Sequence, residues 1–239
     1  MLLPALARAR TTADGAACRS NVRQMALGLS LYVEEGGVYP GVGRTDYATP
    51  WFIQLEPYLG GKWPEGTSPA TGVFACPGYN RASGRYHGGY GTATGSGGGA
   101  YGYNFSETYW GIPNHSCRGL GGRTGEESGK GQPLKESQVV RPTEMIAVTD
   151  SIVVANAPGY STFSPGYPFA SHAALSDPLF TGRSDTRELE AGRRFYARRH
   201  NGRFTTLFCD GHVEARKVDD LFHRTRPEVR RRWHHDNQP

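Results

Sequence analysis

The spacing of apolar residues near the start of the chain predicts a long amphipathic helix. The residues that recur at intervals of three and four positions are Cys18, Val22, Met25, Leu29 and Tyr32. This spacing places them on one face of an α-helix. We expect the helix to begin near Pro4 and to end at Gly36-Gly37, because glycine permits the left-handed backbone that terminates helices. The face formed by Val22, Met25, Leu29 and Tyr32 is expected to pack against a sheet.

Later segments predict β-strands. Residues 145–149 are mostly apolar and end at Asp150. Residues 204–209 and 212–215 flank Asp210-Gly211, and Asp-Gly is favoured in the two-residue type I′ turn of a β-hairpin. We therefore expect a hairpin over residues 204–218, in which Asp210 and Gly211 both have positive φ.

The middle of the chain is rich in glycine. Residues 84–102 contain nine glycines interleaved with tyrosines, and Gly97, Gly99 and Gly102 match a dinucleotide-binding pattern. No predicted strand precedes this pattern and no predicted helix follows it, so we exclude a dinucleotide site. The expected organisation is an N-terminal helix over residues 1–37 and a globular domain over residues 38–239. Residues 84–131 are expected to form a glycine-rich insertion within that domain, and residues 156–187 a long loop.

Composition favours a folded chain of 239 residues with a modest core and long irregular segments. Hydrophobic residues make up 37% and the formal net charge is only +5, whereas disordered chains combine few apolar residues with high net charge. No apolar run reaches the roughly 18 residues that a membrane span needs. The positive charge is concentrated after Arg183, but acidic residues interleave with the arginines there. That pattern favours an ion-paired surface over nucleic-acid binding.

The chain has four cysteines, which are Cys18, Cys76, Cys117 and Cys209. The absence of a Cys-x-x-Cys pair excludes thioredoxin-like, zinc-ribbon and haem-attachment motifs. Four cysteines allow three complete disulfide pairings, and the sequence does not choose among them. Free buried thiols and disulfides of an exported protein both fit.

Two groups of residues together resemble a known family. The first is Leu-Leu-Pro-Ala-Leu at residues 2–6, followed by Cys-Arg-Ser-Asn-Val-Arg-Gln-Met-Ala-Leu at residues 18–27. The second is His200, separated by nine residues from Asp210-Gly211. The combination resembles prepilin-type, pseudopilin-like proteins with a C-terminal His-x(9)-Asp-Gly processing-associated domain, whose function is largely unknown. Their membrane helix starts further upstream, so we expect the apolar residues 2–9 to be its exposed stub.

The resemblance implies an α+β, pilin-like fold in which a long N-terminal helix packs on a small antiparallel sheet with long irregular loops. It implies a non-catalytic subunit of a type II secretion or type IV pilus-related system in the bacterial cell envelope. The expected partners are other pilin or pseudopilin subunits, the assembly machinery and the inner membrane. Two alternatives stay open: an envelope-displayed module that binds calcium or a glycan, and an exported enzyme that uses His200, Asp150 and Asp210.

The candidate site consists of Asp150, His200 and Asp210. If the strand at residues 145–149 lies beside the first strand of the hairpin, we expect these side chains to gather at one end of the sheet. Asp150 and Asp210 together are candidate Ca²⁺ ligands, although Asp before Gly also suits a turn that needs no ligand. The sequence contains no hydrolase signature. Cys209, in a predicted strand, is expected to be a small core residue rather than a nucleophile.

Overall fold

The structure, a computed structural model, describes residues 2–41, 51–62, 70–79, 100–104, 119–121, 133–150, 169–170, 199–221 and 226–238. Cys117, most of the glycine-rich segment and most of residues 156–187 lie outside these ranges.

A long helix, α1, spans Leu2–Gly36. It ends where the glycine pair predicts, because Gly37 has φ 66° and donates its N–H to the carbonyl of Val33 at 2.7 Å. Val22, Met25 and Leu29 are buried in the core, and α1 contacts the sheet and the short helices beside it. Residues 4–10 are exposed. Within the described residues, no helix combines the length and apolar character needed to cross a membrane.

Five strands form one sheet in the order β3-β1-β2-β4-β5. Their bounds are β1 Tyr101–Asn104, β2 Ile146–Asp150, β3 Phe169–Ala170, β4 Arg203–Phe208 and β5 Val213–Lys217. The neighbouring pairs are antiparallel except β1 with β3, which is parallel. The fold is therefore α+β, with one parallel pair added to the expected antiparallel sheet.

The segment expected to be a glycine-rich insertion, residues 84–131, contributes β1 to the sheet. All four residues of β1 are buried, and the side-chain amide of Asn104 donates to the carbonyls of Ile146 at 2.8 Å and Trp233 at 3.1 Å. Trp51 stacks on Tyr103 with ring centroids 5.6 Å apart. The sequence did not indicate β1, because a four-residue strand that follows a run of glycines gives little periodic signal.

The short helices surround this core. The α-helices are α2 Trp51–Leu55, α3 Val218–Leu221 and α4 Pro227–Arg230. The 3₁₀ helices are Glu56–Tyr58, Gly72–Phe74, Glu136–Gln138, His200–Gly202 and Arg231–Trp233. The backbone of Gly72 has φ 56° and lies against that of Gly60, so a Cβ added at Gly72 would be only 2.0 Å from the carbonyl oxygen of Gly60. Position 72 therefore requires glycine.

The hairpin of β4 and β5 has a different turn from the expected one. Gly211 N–H donates to the carbonyl of Phe208 at 3.0 Å, and Phe208 N–H donates to the carbonyl of His212 at 3.0 Å. Gly211 has φ 88°, but Asp210 is not among the residues with positive φ. The type I′ prediction was wrong: the loop comprises residues 209–211 and ends in a left-handed glycine, which is the three-residue hairpin loop.

Candidate functional site

Asp150, the last residue of β2, lies at the centre of a buried polar cluster. One of its carboxylate oxygens accepts a hydrogen bond from Nη2 of Arg199 at 2.6 Å. The other lies 3.0 Å from Nδ1 of His200 and accepts the backbone N–H of Thr205 at 2.7 Å. The side chains of Asp150 and Arg199 are each only 1% exposed. Both oxygens of the carboxylate are therefore satisfied without solvent.

Arg199 joins this cluster to two other parts of the core. Its Nη2 also donates to the carbonyl of Ala100 at 2.8 Å, just ahead of β1. Its guanidinium lies over the ring of Tyr79, 5.2 Å from the ring centroid. A buried charge of this kind is tolerated only when it is paired and hydrogen-bonded. Arg199 thus fixes the relative positions of β1, β2 and the segment around Tyr79.

The surroundings of Asp150 favour its charged form. Burial by itself raises the pKa of this carboxyl, but the charges of Arg199 and His200 and the hydrogen bonds from His200 and Thr205 lower it. The net effect is a pKa below the ordinary value for aspartate. Asp150 is consequently an anion at neutral pH, and its ionised state is coupled to the folded structure.

His200 reaches this cluster through an uncommon backbone conformation. His200 and Asn201 have φ values of 48° and 57°, and Gly202 follows with φ 75°. The turn is closed by Gly202 N–H, which donates to the carbonyl of Arg199 at 3.0 Å. Left-handed φ at a residue other than glycine costs about 1–3 kcal/mol and persists only where the surroundings enforce it. Here the buried side-chain contacts of His200 enforce it.

A disulfide lies on the other side of the His200 ring. Cys18 of α1 and Cys76 are bonded, with their Cα atoms 5.3 Å apart and a sequence separation of 58 residues. Nε2 of His200 lies 3.3 Å from Sγ of Cys76. The pairing left open by the sequence is thus settled for these two cysteines. By loop-closure entropy, a cross-link of this length stabilises the fold by about 4 kcal/mol.

Asp210 lies at the other end of β4. The register pairs Thr149 with Thr206 and Ile146 with Phe208, so Asp150 is beside the start of β4 and Asp210 follows its end. Asp150 accepts the backbone N–H of Thr205, the third residue of β4, and the chain from Thr205 to Asp210 spans about 17 Å. The expectation that Asp150, His200 and Asp210 gather at one sheet end was therefore wrong for Asp210. A Ca²⁺ site built from Asp150 and Asp210 is excluded for the same reason.

The surroundings of Asp210 are those of an exposed turn. One carboxylate oxygen of Asp210 accepts the backbone N–H of His212 at 3.2 Å and lies 2.5 Å from Nδ1 of its ring. The side chains of His212 and Asp210 are 37% and 29% exposed. The ring of His212 stacks on Phe208 with centroids 4.3 Å apart. These contacts account for Asp210 as a turn residue without a ligand.

Cys209 is the free cysteine among the described residues, and it is partly buried. Burial, together with the charge of nearby Asp210, raises the pKa of its thiol, and a hydrogen bond with Tyr39 only partly offsets this. The thiol is therefore protonated at neutral pH, whereas a reactive cysteine is a thiolate. Cys209 is not in the buried core itself but packs against it.

The comparisons with known proteins identify no relative. No protein-family model matches the chain, and no curated protein and no solved structure matches it significantly. Functional inference therefore rests on the site and on the shape of the molecule.

Sequence reasoning named Asp150 and His200 but missed Arg199, the cation that neutralises Asp150. The only feature of the sequence that could have indicated Arg199 is that it directly precedes His200. Sequence reasoning also missed the contact between His200 and the disulfide, because Cys18, Cys76 and His200 meet only through the tertiary fold.

The cluster is closed to solvent: Cys18 and Cys76 are fully buried and His200 is 8% exposed. Its contacts connect α1, through the disulfide and His200, with Asp150 of β2 and Thr205 of β4.

Proposed function

We propose that the protein is a non-catalytic, pseudopilin-like subunit of a type II secretion or type IV pilus-related assembly in the bacterial cell envelope. In this proposal, α1 packs against the corresponding helices of neighbouring subunits, and the globular domain lies on the outside of the assembly. The observation that carries the proposal is a second apolar face on α1, on the side opposite the core.

Three leucines on α1 are exposed although leucine is normally buried: Leu6 by 67%, Leu27 by 68% and Leu31 by 51%. At about 100° per residue, they fall within a sector of about 60° around the helix axis. The other exposed residues of this sector are Ala9, Ala13, Ser20 and Gln24, of which only Gln24 has a long polar side chain. The buried stripe of Val22, Met25 and Leu29 lies on the opposite side. Helix α1 is therefore rich in apolar and small residues on two faces, and the residues that the structure describes cover only one of them.

An uncovered apolar face marks an interaction surface. Small residues between leucines allow another helix to approach closely, which is how helices pack inside pilin-like assemblies through apolar contacts. The projecting start of α1 supports the same partner: residues 4–10 are exposed, whereas a helix that served only the fold of this domain has no need of them. The partner that fits the exposed leucine face of α1 is α1 of another subunit.

The buried cluster supports the non-catalytic part of the proposal. Asp150 and His200 are the residues that a catalytic hypothesis would use, but both are enclosed, and Asp150 is engaged by Arg199, His200 and Thr205. A substrate would have to displace these contacts. The cluster instead provides a rigid base from which α1 projects.

Photo-crosslinking in the producing bacterium tests the proposal. A benzophenone amino acid in place of Leu27 should give a ladder of products rising by one subunit mass, because α1 of a neighbour lies on that face. The matched control is the same probe in place of Val140, which is 64% exposed but lies outside α1; it should give no ladder. A monomer alone from the Leu27 probe, or equal ladders from both probes, would contradict helix-mediated assembly.

A variant that introduces negative charge on the exposed face of α1 separates assembly from folding. Leu27→Glu combined with Leu31→Glu should abolish the ladder from a probe at Ala13 while the melting temperature stays close to that of the parent, since neither leucine is in the core. Persistence of the ladder in this variant would place the interface elsewhere.

A further inference from the structure

The disulfide and His200 together present three metal-binding atoms in one buried place. Sγ of Cys18, Sγ of Cys76 and Nε2 of His200 all lie within 4.8 Å of one another. In the tetrahedral sites that zinc prefers, Zn–S bonds are about 2.3 Å and Zn–N bonds about 2.0–2.1 Å. Such bonds place neighbouring ligand atoms somewhat under 4 Å apart. Small movements after the disulfide opens would bring these three atoms to that geometry.

The orientation of His200 is that of a metal ligand. Nδ1 faces the Asp150 carboxylate at 3.0 Å, and an ionised carboxylate only accepts hydrogen bonds, so in the neutral ring that a metal ion requires the proton is on Nδ1. Nε2 then directs its lone pair towards Sγ of Cys76 at 3.3 Å. A disulfide sulfur has no hydrogen to give to that lone pair, whereas a metal ion would accept it. A histidine held by a carboxylate through its other nitrogen is the common arrangement around protein-bound zinc.

The surroundings leave room for the ring and favour a thiolate at Cys76. A Cβ added at Gly78 would lie 2.9 Å from Nε2 of His200, so a side chain there would obstruct the ring. The backbone N–H of Tyr79 donates to Sγ of Cys76 at 3.4 Å, and such a donor stabilises negative charge on sulfur. These contacts are already present in the oxidised structure.

The charges balance in the metal-bound form. Two thiolates neutralise one Zn²⁺, the imidazole is neutral, and Asp150 is already paired with Arg199 at 2.6 Å. The buried site therefore carries no net charge, which avoids the cost of burying an uncompensated ion.

We propose that Cys18, Cys76 and His200 form a redox-controlled Zn²⁺ site, closed while the disulfide is intact and opened by a dithiol reductant. The reductant is oxidised to its own disulfide, and its two thiol protons pass to the sulfurs of Cys18 and Cys76. On metal binding, those protons leave to solvent, each sulfur bonds to zinc, and Nε2 of His200 donates its lone pair. A water molecule completes the tetrahedron. This inference does not depend on the proposed assembly role.

The test uses the full chain with Cys117→Ser and Cys209→Ser, so that only Cys18 and Cys76 carry thiols. Oxidised and phosphine-reduced samples are titrated anaerobically with Zn²⁺ against a chromophoric chelator, and with Co²⁺ as a spectroscopic probe. The expected result is one equivalent of zinc bound by the reduced protein and none by the oxidised protein. Reduced protein with Co²⁺ should show thiolate-to-cobalt charge transfer and the visible bands of a tetrahedral ion.

Two variants assign the ligand and its support. His200→Gln should abolish stoichiometric binding, and Asp150→Asn should weaken zinc affinity by about 10–100-fold, the usual effect of removing the partner of a ligating histidine. If reduction alone unfolds the protein, zinc should restore the folded near-ultraviolet circular dichroism in the parent but not in His200→Gln. Equal zinc binding by oxidised and reduced protein would overturn the proposal, and so would equal binding or equal refolding in His200→Gln.

Discussion

The two ends of β4 carry the two halves of the same sequence motif and differ in almost every physical respect. At the start, His200 is 8% exposed, has a left-handed backbone and lies between Asp150 and the disulfide. At the end, Asp210 has ordinary φ, is partly exposed and contacts His212 in its own turn. The nine residues between them contain the whole of β4.

The comparison indicates that the nine-residue spacing between His200 and Asp210 reflects the length of β4. The two residues do not belong to one site. The spacing carries the chain from a buried anchor at one edge of the sheet to an exposed turn at the other. A substitution at the His200 end should therefore disturb a network of buried charges, whereas one at the Asp210 end should disturb only a turn.

The largest effect is expected from Arg199→Met. The variant leaves the Asp150 carboxylate buried without its cation and removes the hydrogen bond to the carbonyl of Ala100. Removing one partner of a buried ion pair costs about 3–5 kcal/mol. Urea unfolding at neutral pH measures the loss. The matched control is Arg203→Met at the exposed first position of β4, which should change the free energy of unfolding by no more than about 1 kcal/mol. Equal losses in the two variants would remove the distinction between a buried anchor and an exposed surface.

An intermediate effect is expected from Gly211→Val. Gly211 has φ 88°, and a Cβ built on it meets nothing nearer than Oγ of Ser30 at 4.0 Å. The cost therefore arises from backbone conformation rather than from a clash, and should be about 1–3 kcal/mol. Gly211→Asn should lose clearly less, because asparagine enters the left-handed region more readily than a β-branched residue. Thermal or urea unfolding of both variants checks the order, and a valine variant as stable as the asparagine variant would contradict the turn assignment.

The smallest effect is expected from Asp210→Asn. An asparagine carbonyl accepts the N–H of His212 as the carboxylate does, so the free energy of unfolding should stay within about 0.5 kcal/mol of the parent. Because Asp210 and Asp150 are at opposite ends of β4, the melting temperature of the parent should be the same in calcium and in chelator. A calcium-dependent rise that Asp210→Asn abolishes would show that Asp210 is a ligand after all.

The parts of the fold that the sequence predicted are those set by local periodicity. The three- and four-residue spacing from Cys18 to Tyr32 located the buried face of α1, and Gly36-Gly37 located its end. A short apolar run located β2, and Asp-Gly between two strand-like segments located the hairpin. The turn type was missed because the same Asp-Gly pair serves two loop lengths, and the cross-strand register between Phe208 and His212 decides which one forms.

The parts that the sequence did not predict depend on contacts between distant segments. The pairing of Cys18 with Cys76 spans 58 residues, and composition offered three equivalent pairings. Strand β1 is short and lies in a glycine-rich stretch, so neither length nor alternation marked it. Arg199 gave no sign of burial, since an arginine beside another arginine normally predicts a solvated surface.

The most direct test of the central claim, that the His200 end is a buried charged anchor, is the pH dependence of unfolding in Asp150→Asn compared with Asp210→Asn. The folded-state pKa of Asp150 is lowered, so its contribution to stability is present above the ordinary aspartate pKa of about 3.9 and is lost as pH falls through the folded value. The account predicts that Asp150→Asn is less stable than the parent at neutral pH and that the gap narrows as the pH falls below about 4. Asp210→Asn should follow the parent throughout. A gap for Asp150→Asn that stays constant down to acid pH would contradict the account.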